Sequence, residues 1–206
     1  MFTDMATRTY RQKRRAEQQA ETRQRIVEAM VGLHREVGPV RTTISAIAER
    51  AGVERLTVYR HFPDERAMFE ACTTHYATEV PGPDPETWAG IEEPAERLRT
   101  ALLSFYEYYR RAEDVLTHAV RDLPQLPALA VVLSPWEEFV GRVRDEMLEG
   151  WKAKGRARAR LTAAVAHALR FETWRSLARA EALGDAEAAD LMVTLAEAAV
   201  VKAVRR

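Results

Sequence analysis

The chain is 206 residues long, balances 31 Lys and Arg against 31 Asp and Glu for a formal net charge of zero, and is 47% hydrophobic. That is enough apolar material for a packed core, which excludes an intrinsically disordered chain, and a lone cysteine, Cys72, excludes an internal disulfide framework and a cysteine-based zinc cluster. No apolar run approaches the roughly 18–20 residues of a membrane helix, and the polar stretch Ala16 to Gln24 leaves no apolar signal-peptide region, so a cytoplasmic protein without membrane contact is expected.

The neutral total hides an asymmetry. Residues 1–62 hold 12 basic side chains against 7 acidic ones, so this head carries +5 and the remainder −5. A basic head on an acidic body predicts that the head meets a polyanion.

In chain order, strict apolar/polar alternation is absent and Ala, Arg, Glu and Leu dominate, so helices are expected throughout. The segment Arg8 to Arg15, RTYRQKRR, precedes the first helix and reads either as a flexible arm reaching DNA backbone or minor groove, or as a solvated tail. The first helix runs from about Glu21 to Val37 on the stripe Ile26, Met30, Leu33 and Val37, and Gly38-Pro39 ends it. Thr43 caps a second helix with the stripe Ile44, Ile47, Ala48 and Ala51, Gly52 stops it, and a third covers about Glu54 to His61. A fourth, opened by Pro63 with Asp64 and Glu65 at its N-terminus, runs to about Thr78. The break Pro81-Gly82-Pro83-Asp84-Pro85 then divides the chain into expected domains 1–79 and 80–206. Beyond it, helices are expected at about 94–111, 113–122, 127–150, 157–181 and 186–204.

The stretch Thr42 to Phe69 has the pattern of a helix-turn-helix. Ala48 is small where the next helix crosses, and Gly52 can take the positive φ of a tight turn. Val53 and Val58 face inward, leaving Arg55, Leu56, Thr57, Tyr59 and Arg60 partly outward, able to enter a major groove.

From Glu21 to about Tyr76, and most specifically in Thr57-Val58-Tyr59-Arg60-His61-Phe62-Pro63, the sequence resembles the tetracycline-repressor (TetR) family of bacterial transcriptional regulators. The resemblance implies an all-α fold: an N-terminal three-helix helix-turn-helix domain joined by a fourth helix to a C-terminal helical domain that binds ligand and dimerises. It implies that Thr43 touches a phosphate besides capping, that Tyr59 and His61 meet the DNA backbone, and that Arg55, Leu56 and Thr57 read base edges. Three positions depart from the family pattern. Glu54 replaces a small hydroxylic cap, Leu56 replaces a frequent glycine, and Glu65 replaces a lysine, which leaves Arg66 to take over its phosphate contact.

In the second half, Phe105, Tyr109, Trp136, Phe139, Phe171 and Trp174 are candidates for a ligand pocket, with plain core packing as the alternative. His167, Phe171 and Trp174 are expected on one helical face, with His167 either a ligand hydrogen-bonding group or a satisfied core histidine. The last two helices are expected to form a four-helix dimer bundle through Leu161, Val165, Leu169, Leu191, Leu195 and Ala199. Arg156, Arg158 and Arg160 read as a solvated helix start, and Cys72 as a buried thiol.

Enzyme signatures are missing. The five histidines share no metal-ligand spacing, and there is no phosphate-binding glycine loop or nucleophile elbow, so no metal, cofactor or catalysis is expected. The resulting expectation is a homodimeric repressor that binds a palindromic double-stranded DNA operator and is released by an uncharged or aromatic small molecule. The alternatives are a ligand-blind regulator or activator of the same fold, and a small-molecule-binding protein that does not use DNA.

Overall fold

A computed structural model describes residues 2–201, and every regular element among them is helical. Residues up to Glu79 together with Thr117–Val132 form one compact unit. Val80–Leu116 and the chain from Leu133 onward form the other.

In the first unit, α1 (Phe2–Glu36) is 35 residues long and begins well before the predicted start near Glu21. The expected flexible arm is therefore helix through Arg8 to Arg15. No proline precedes Pro39, and the added turns are rich in Arg, Gln, Ala and Glu, which lose little side-chain freedom in a helix. From Tyr10 to Glu21 every side chain is exposed, so propensity rather than burial forms this part. From Ile26 on, α1 enters a core with Val27, Met30, Ile47, Ala48, Val58, Phe62 and Cys72. The helices α2 (Ile44–Ala51), α3 (Arg55–His61) and α4 (Glu65–Glu79) complete this group. Burial pushes the Cys72 thiol up to about 12, so it sits there as a small apolar side chain, as expected.

The turn after α1 is held by the segment Thr117–Val132. His118 Nδ1 donates to the His34 carbonyl at 3.1 Å, Arg121 Nη2 donates to the Val37 carbonyl at 3.0 Å, and Asp122 Oδ2 accepts the Val40 N–H at 3.1 Å. The bonds from Arg121 and Asp122 satisfy a carbonyl and an amide that the end of α1 leaves without helical partners, and the His34 carbonyl accepts His118 besides the Gly38 N–H. Gly38 lies beneath them at φ +90°, and a Cβ there would stand 2.6 Å from Asp122 Oδ2 and 3.1 Å from His118 Cβ. Only glycine suits both the backbone angle and the space.

Beyond α4, α5 (Pro94–Asp122) is one continuous helix where two were predicted, 94–111 and 113–122. No glycine or proline interrupts it after Pro94, and Ala112, at the expected break, is fully buried. It is followed by α6 (Pro127–Met147) and α7 (Gly155–Ala168). The helix predicted at 157–181 is broken at Leu169–Arg170 and resumes as α8 (Phe171–Arg175), continued by a wider π turn through Ala180. The break has a tertiary cause. Tyr106 Oη donates to the Ala168 carbonyl at 3.0 Å and Tyr109 Oη to the Leu169 carbonyl at 2.5 Å, taking acceptors that a continuing helix needs. The last helix, α9 (Asp185–Val200), packs along α7, and residues 202–206 at the predicted helix end lie outside the described residues.

That packing corrects the expected dimer stripe. Leu161, Val165 and Leu169 are buried in this chain's own core beside Trp174, Ala188 and Met192, while Leu191 and Leu195 on α9 are exposed. An apolar i, i+4 stripe has the same sequence signature whether it meets its own chain or a second copy.

Candidate nucleic-acid interface

The helix-turn-helix is assembled by local chemistry. Thr43 Oγ1 accepts the Ala46 N–H at 3.1 Å, which caps α2 as the sequence suggests. Gly52 closes α2 in the left-handed conformation, φ 64°, and the Val53 N–H donates to the Ala48 carbonyl at 2.9 Å. α3 then rests on Val58, which is fully buried, and on Phe62, which ends it and is only 1% exposed.

With its inner face fixed, α3 turns the rest outward. Leu56 is 72% exposed and Tyr59 47%, and Arg55 and Arg60 are exposed beside them. Leu56 therefore stands clear of the core, where an apolar side chain is available to a thymine methyl. Thr57 and His61 are half-buried on the flank toward α1, and Arg60 Nη2 donates to Thr57 Oγ1 at 3.4 Å. His61 is held below the ordinary histidine range by burial first and then by the charges of Arg60 and Arg23. Thr43 is exposed at the start of α2. Arg66 is exposed but paired with Glu70 at 2.8 Å, a surface i, i+4 pair that exchanges easily for a phosphate.

Sequence reading placed Arg11 and Arg15 in an arm ahead of the first helix and gave Arg23 and Arg25 no role. Arg15 and Arg25 line a cleft of about 530 Å³ with Glu54, Thr57, Arg60 and His61, and Arg23 stands over the Phe62 ring at 4.8 Å. The spacing of Arg11, Arg15, Gln18, Thr22 and Arg25 along one helical face carries the signal, and it is visible only once α1 is known to be helix that far forward.

In the second unit, the six aromatic candidates form one continuous cluster. Phe105 stacks on Phe139 with 6.1 Å between centroids, Trp136 lies 5.6 Å from Phe139, and Tyr109 meets Phe171 at 5.6 Å and Trp174 at 6.2 Å. Most of their polar atoms are occupied, since Tyr109 bonds the Leu169 carbonyl and Trp174 Nε1 donates to Asp185 at 3.0 Å. Trp88, fully buried and 6.2 Å from Phe105, is different: its indole N–H is enclosed without an acceptor. His167 is neither pocket lining nor core. It is exposed at the end of α7, and the break after Ala168 removes the continuous helical face expected with Phe171 and Trp174.

Among the described residues no group of His, Cys, Asp and Glu is arranged to hold a metal ion, and no helix is long and apolar enough to cross a membrane.

Residues 26–72 match the family model described as bacterial regulatory proteins, tetR family. Uncharacterized HTH-type transcriptional regulators of Mycobacterium bovis and Mycobacterium tuberculosis are each 42% identical over 87 residues, covering 39% of this chain and 46% of the relative. The chain thus spans about half the length of the curated relatives it matches. In three dimensions it is similar to a TetR-like transcriptional regulator from Rhodococcus sp. RHA1, with TM-score 0.60 and 21% identity over 85% of this chain and 93% of that one. It is also similar to NalD of Pseudomonas aeruginosa, the secondary repressor of the MexAB-OprM multidrug efflux pump, with TM-score 0.56 and 19% identity over 91% of this chain and all of that one. These structural likenesses concern the fold.

Proposed function

We propose that this chain, whose residues 26–72 match the tetR family model, is a member of that family and a homodimeric, ligand-responsive transcriptional repressor that acts in the cytoplasm and has no catalytic activity. The observation that carries the reading is the outward face of α3, where Arg55, Leu56, Tyr59 and Arg60 project from a helix locked by Val58 and Phe62. Arg55 is assigned to guanine readout, Leu56 and Thr57 to a thymine methyl, and Tyr59, His61, Thr43 and Arg66 to the phosphate backbone. Repression, the mode of NalD, is the mode favoured for this chain.

Dimerisation is assigned to the exposed side of the α7–α9 pair, where Ala159 and Ala163 on α7 and Leu191 and Leu195 on α9 leave an apolar strip facing outward. A two-fold dimer presents its α3 helices to major grooves about 34 Å apart or a multiple of that, so the operator is a near-palindrome. The effector is assigned to the aromatic cluster of the second unit. Within that cluster the unpartnered Trp88 N–H is the donor assigned to a hydrogen-bond acceptor on an uncharged or aromatic effector. Such a molecule releases DNA only through its difference in affinity for the two states, about 5.5 kcal/mol for a full reversal from 99:1 to 1:99.

The test is selection of bound DNA from a random library with purified protein, read by sequencing. A palindromic consensus supports the reading. Failure to enrich any site at low salt, with a dimer demonstrated in solution, overturns it in favour of a ligand-binding protein that does not use DNA.

A further inference from the structure

We infer that the N-terminal half of α1 is a rigid phosphate-binding rail, which carries the operator backbone through the arginine-lined cleft between α1 and α3 and extends the footprint beyond the groove that α3 enters. The inference rests on the DNA-binding reading above and adds an interface to it. Arg15 and Arg25 face Arg60 and His61 across the cleft, with Glu54 the one carboxylate in its lining. None of Arg15, Arg23, Arg25 or Arg60 makes an ion pair among the described residues, whereas Arg35, Arg50 and Arg66 in the same unit are each closed by a glutamate, Glu79, Glu36 and Glu70. Arg15, Arg25 and Arg60 converge on this cleft against the single carboxylate of Glu54, and the excess positive charge that remains is relieved by a bound anion.

The occupant is a chain of phosphates rather than a single anion. The stripe continues outward from the cleft through Arg15 to Arg11, with Arg14 beside it, and all of these side chains are exposed. From Arg11 to Arg25 the helix rises about 21 Å, the length of roughly six base pairs along one strand. A free phosphate needs only the cleft, whereas a duplex backbone uses the whole line. The cleft is also continuous with α3 through Thr57 and Arg60, so DNA held by the outward face of α3 lies alongside it.

The experiment uses the full chain and its selected operator, with the dissociation constant measured as a function of salt for wild type, Arg15→Ala, Arg25→Ala and the double variant. Each substitution is expected to reduce the log–log salt slope by about 0.9, and to weaken binding equally for operators altered at any base. Trimming the duplex outside the α3 contacts is expected to weaken wild type and leave the double variant unchanged. Because both side chains are exposed, thermal melts should match wild type, and Arg15→Gln with Arg25→Gln serve if an alanine variant melts early. Wild-type salt slopes and wild-type flank dependence in variants that fold would overturn the rail while leaving the operator reading intact. A wild-type protein that binds no DNA removes both.

Discussion

The carboxylate of Asp122 accepts the backbone N–H of Val40 at 3.1 Å and holds the Arg121 guanidinium at 2.6 Å, although it is itself only 2% exposed. A charge that deep is tolerable only because both partners are in place. Asp122→Ala leaves the part-buried Val40 N–H without an acceptor and takes the carboxylate from the Arg121 guanidinium, and it should destabilise the protein by about 1–3 kcal/mol. The Arg121 side chain, more than the Val40 N–H, keeps the carboxyl below the usual carboxylate range. The stabilisation is therefore complete above the unfolded value and lost as pH falls through the lower folded value. Urea denaturation of the wild type and variant at pH 7 measures the difference. Equal midpoints and slopes would show that Asp122 bears no load on the turn.

His34 should make stability fall with acidity at a higher pH. Its ring lies 6.0 Å from Phe69, and burial holds it at about 4 despite the nearby Asp122 charge, which favours the proton. The folded state thus refuses a proton that the unfolded chain accepts below its ordinary value of 6.5, so stability declines from pH 6.5 toward 4. For this one group the decline amounts to about 3 kcal/mol. Titrating stability for wild type and His34→Gln separates it from the carboxylates that also titrate there. The variant should show the shallower curve between pH 6.5 and 5, and parallel curves would rule His34 out as the cause.

Local chemistry was legible in the sequence, and long-range chemistry was not. The Thr43 cap, the Gly52 turn and the small Ala48 depend on neighbours within a few residues, and each stands where the pattern puts it. The break at Leu169–Arg170 depends on hydroxyls of Tyr106 and Tyr109, 62 and 60 residues away, which no periodicity in 157–181 reveals. The aromatic positions of the second unit were identifiable as a set, but the exposed His167 was not separable from them, because its apparent face assumed an unbroken helix. The reach of α1 was hidden for the opposite reason: its first turns have no apolar stripe to mark them.

The division of labour on α3 makes a paired prediction. Arg55→Ala should relax specificity at one operator position at a cost of about 1–3 kcal/mol, because a guanidinium reading a base loses two directed hydrogen bonds. Tyr59→Phe keeps the ring and removes only a hydroxyl assigned to the backbone, so it should weaken all sequences alike. Competition binding over a set of single-base operator variants distinguishes them. A uniform loss with Arg55→Ala would move Arg55 to the backbone contacts.

The corrected dimer face gives a second pair. Leu195 is 49% exposed on α9, whereas Leu161 is fully buried on α7 within the chain's own core. Leu195→Arg places a charge where the proposed interface excludes water, and the isolated chain keeps every core contact. It should convert dimer to monomer in sedimentation without lowering the helical signal, and weaken operator binding with it. Leu161→Ala removes buried methyl groups beside Val165 and Met192 and should cost about 2–5 kcal/mol of fold stability, whatever the state of assembly. If Leu195→Arg remains dimeric at micromolar concentration, the strip of Ala159, Ala163, Leu191 and Leu195 is not where two copies meet.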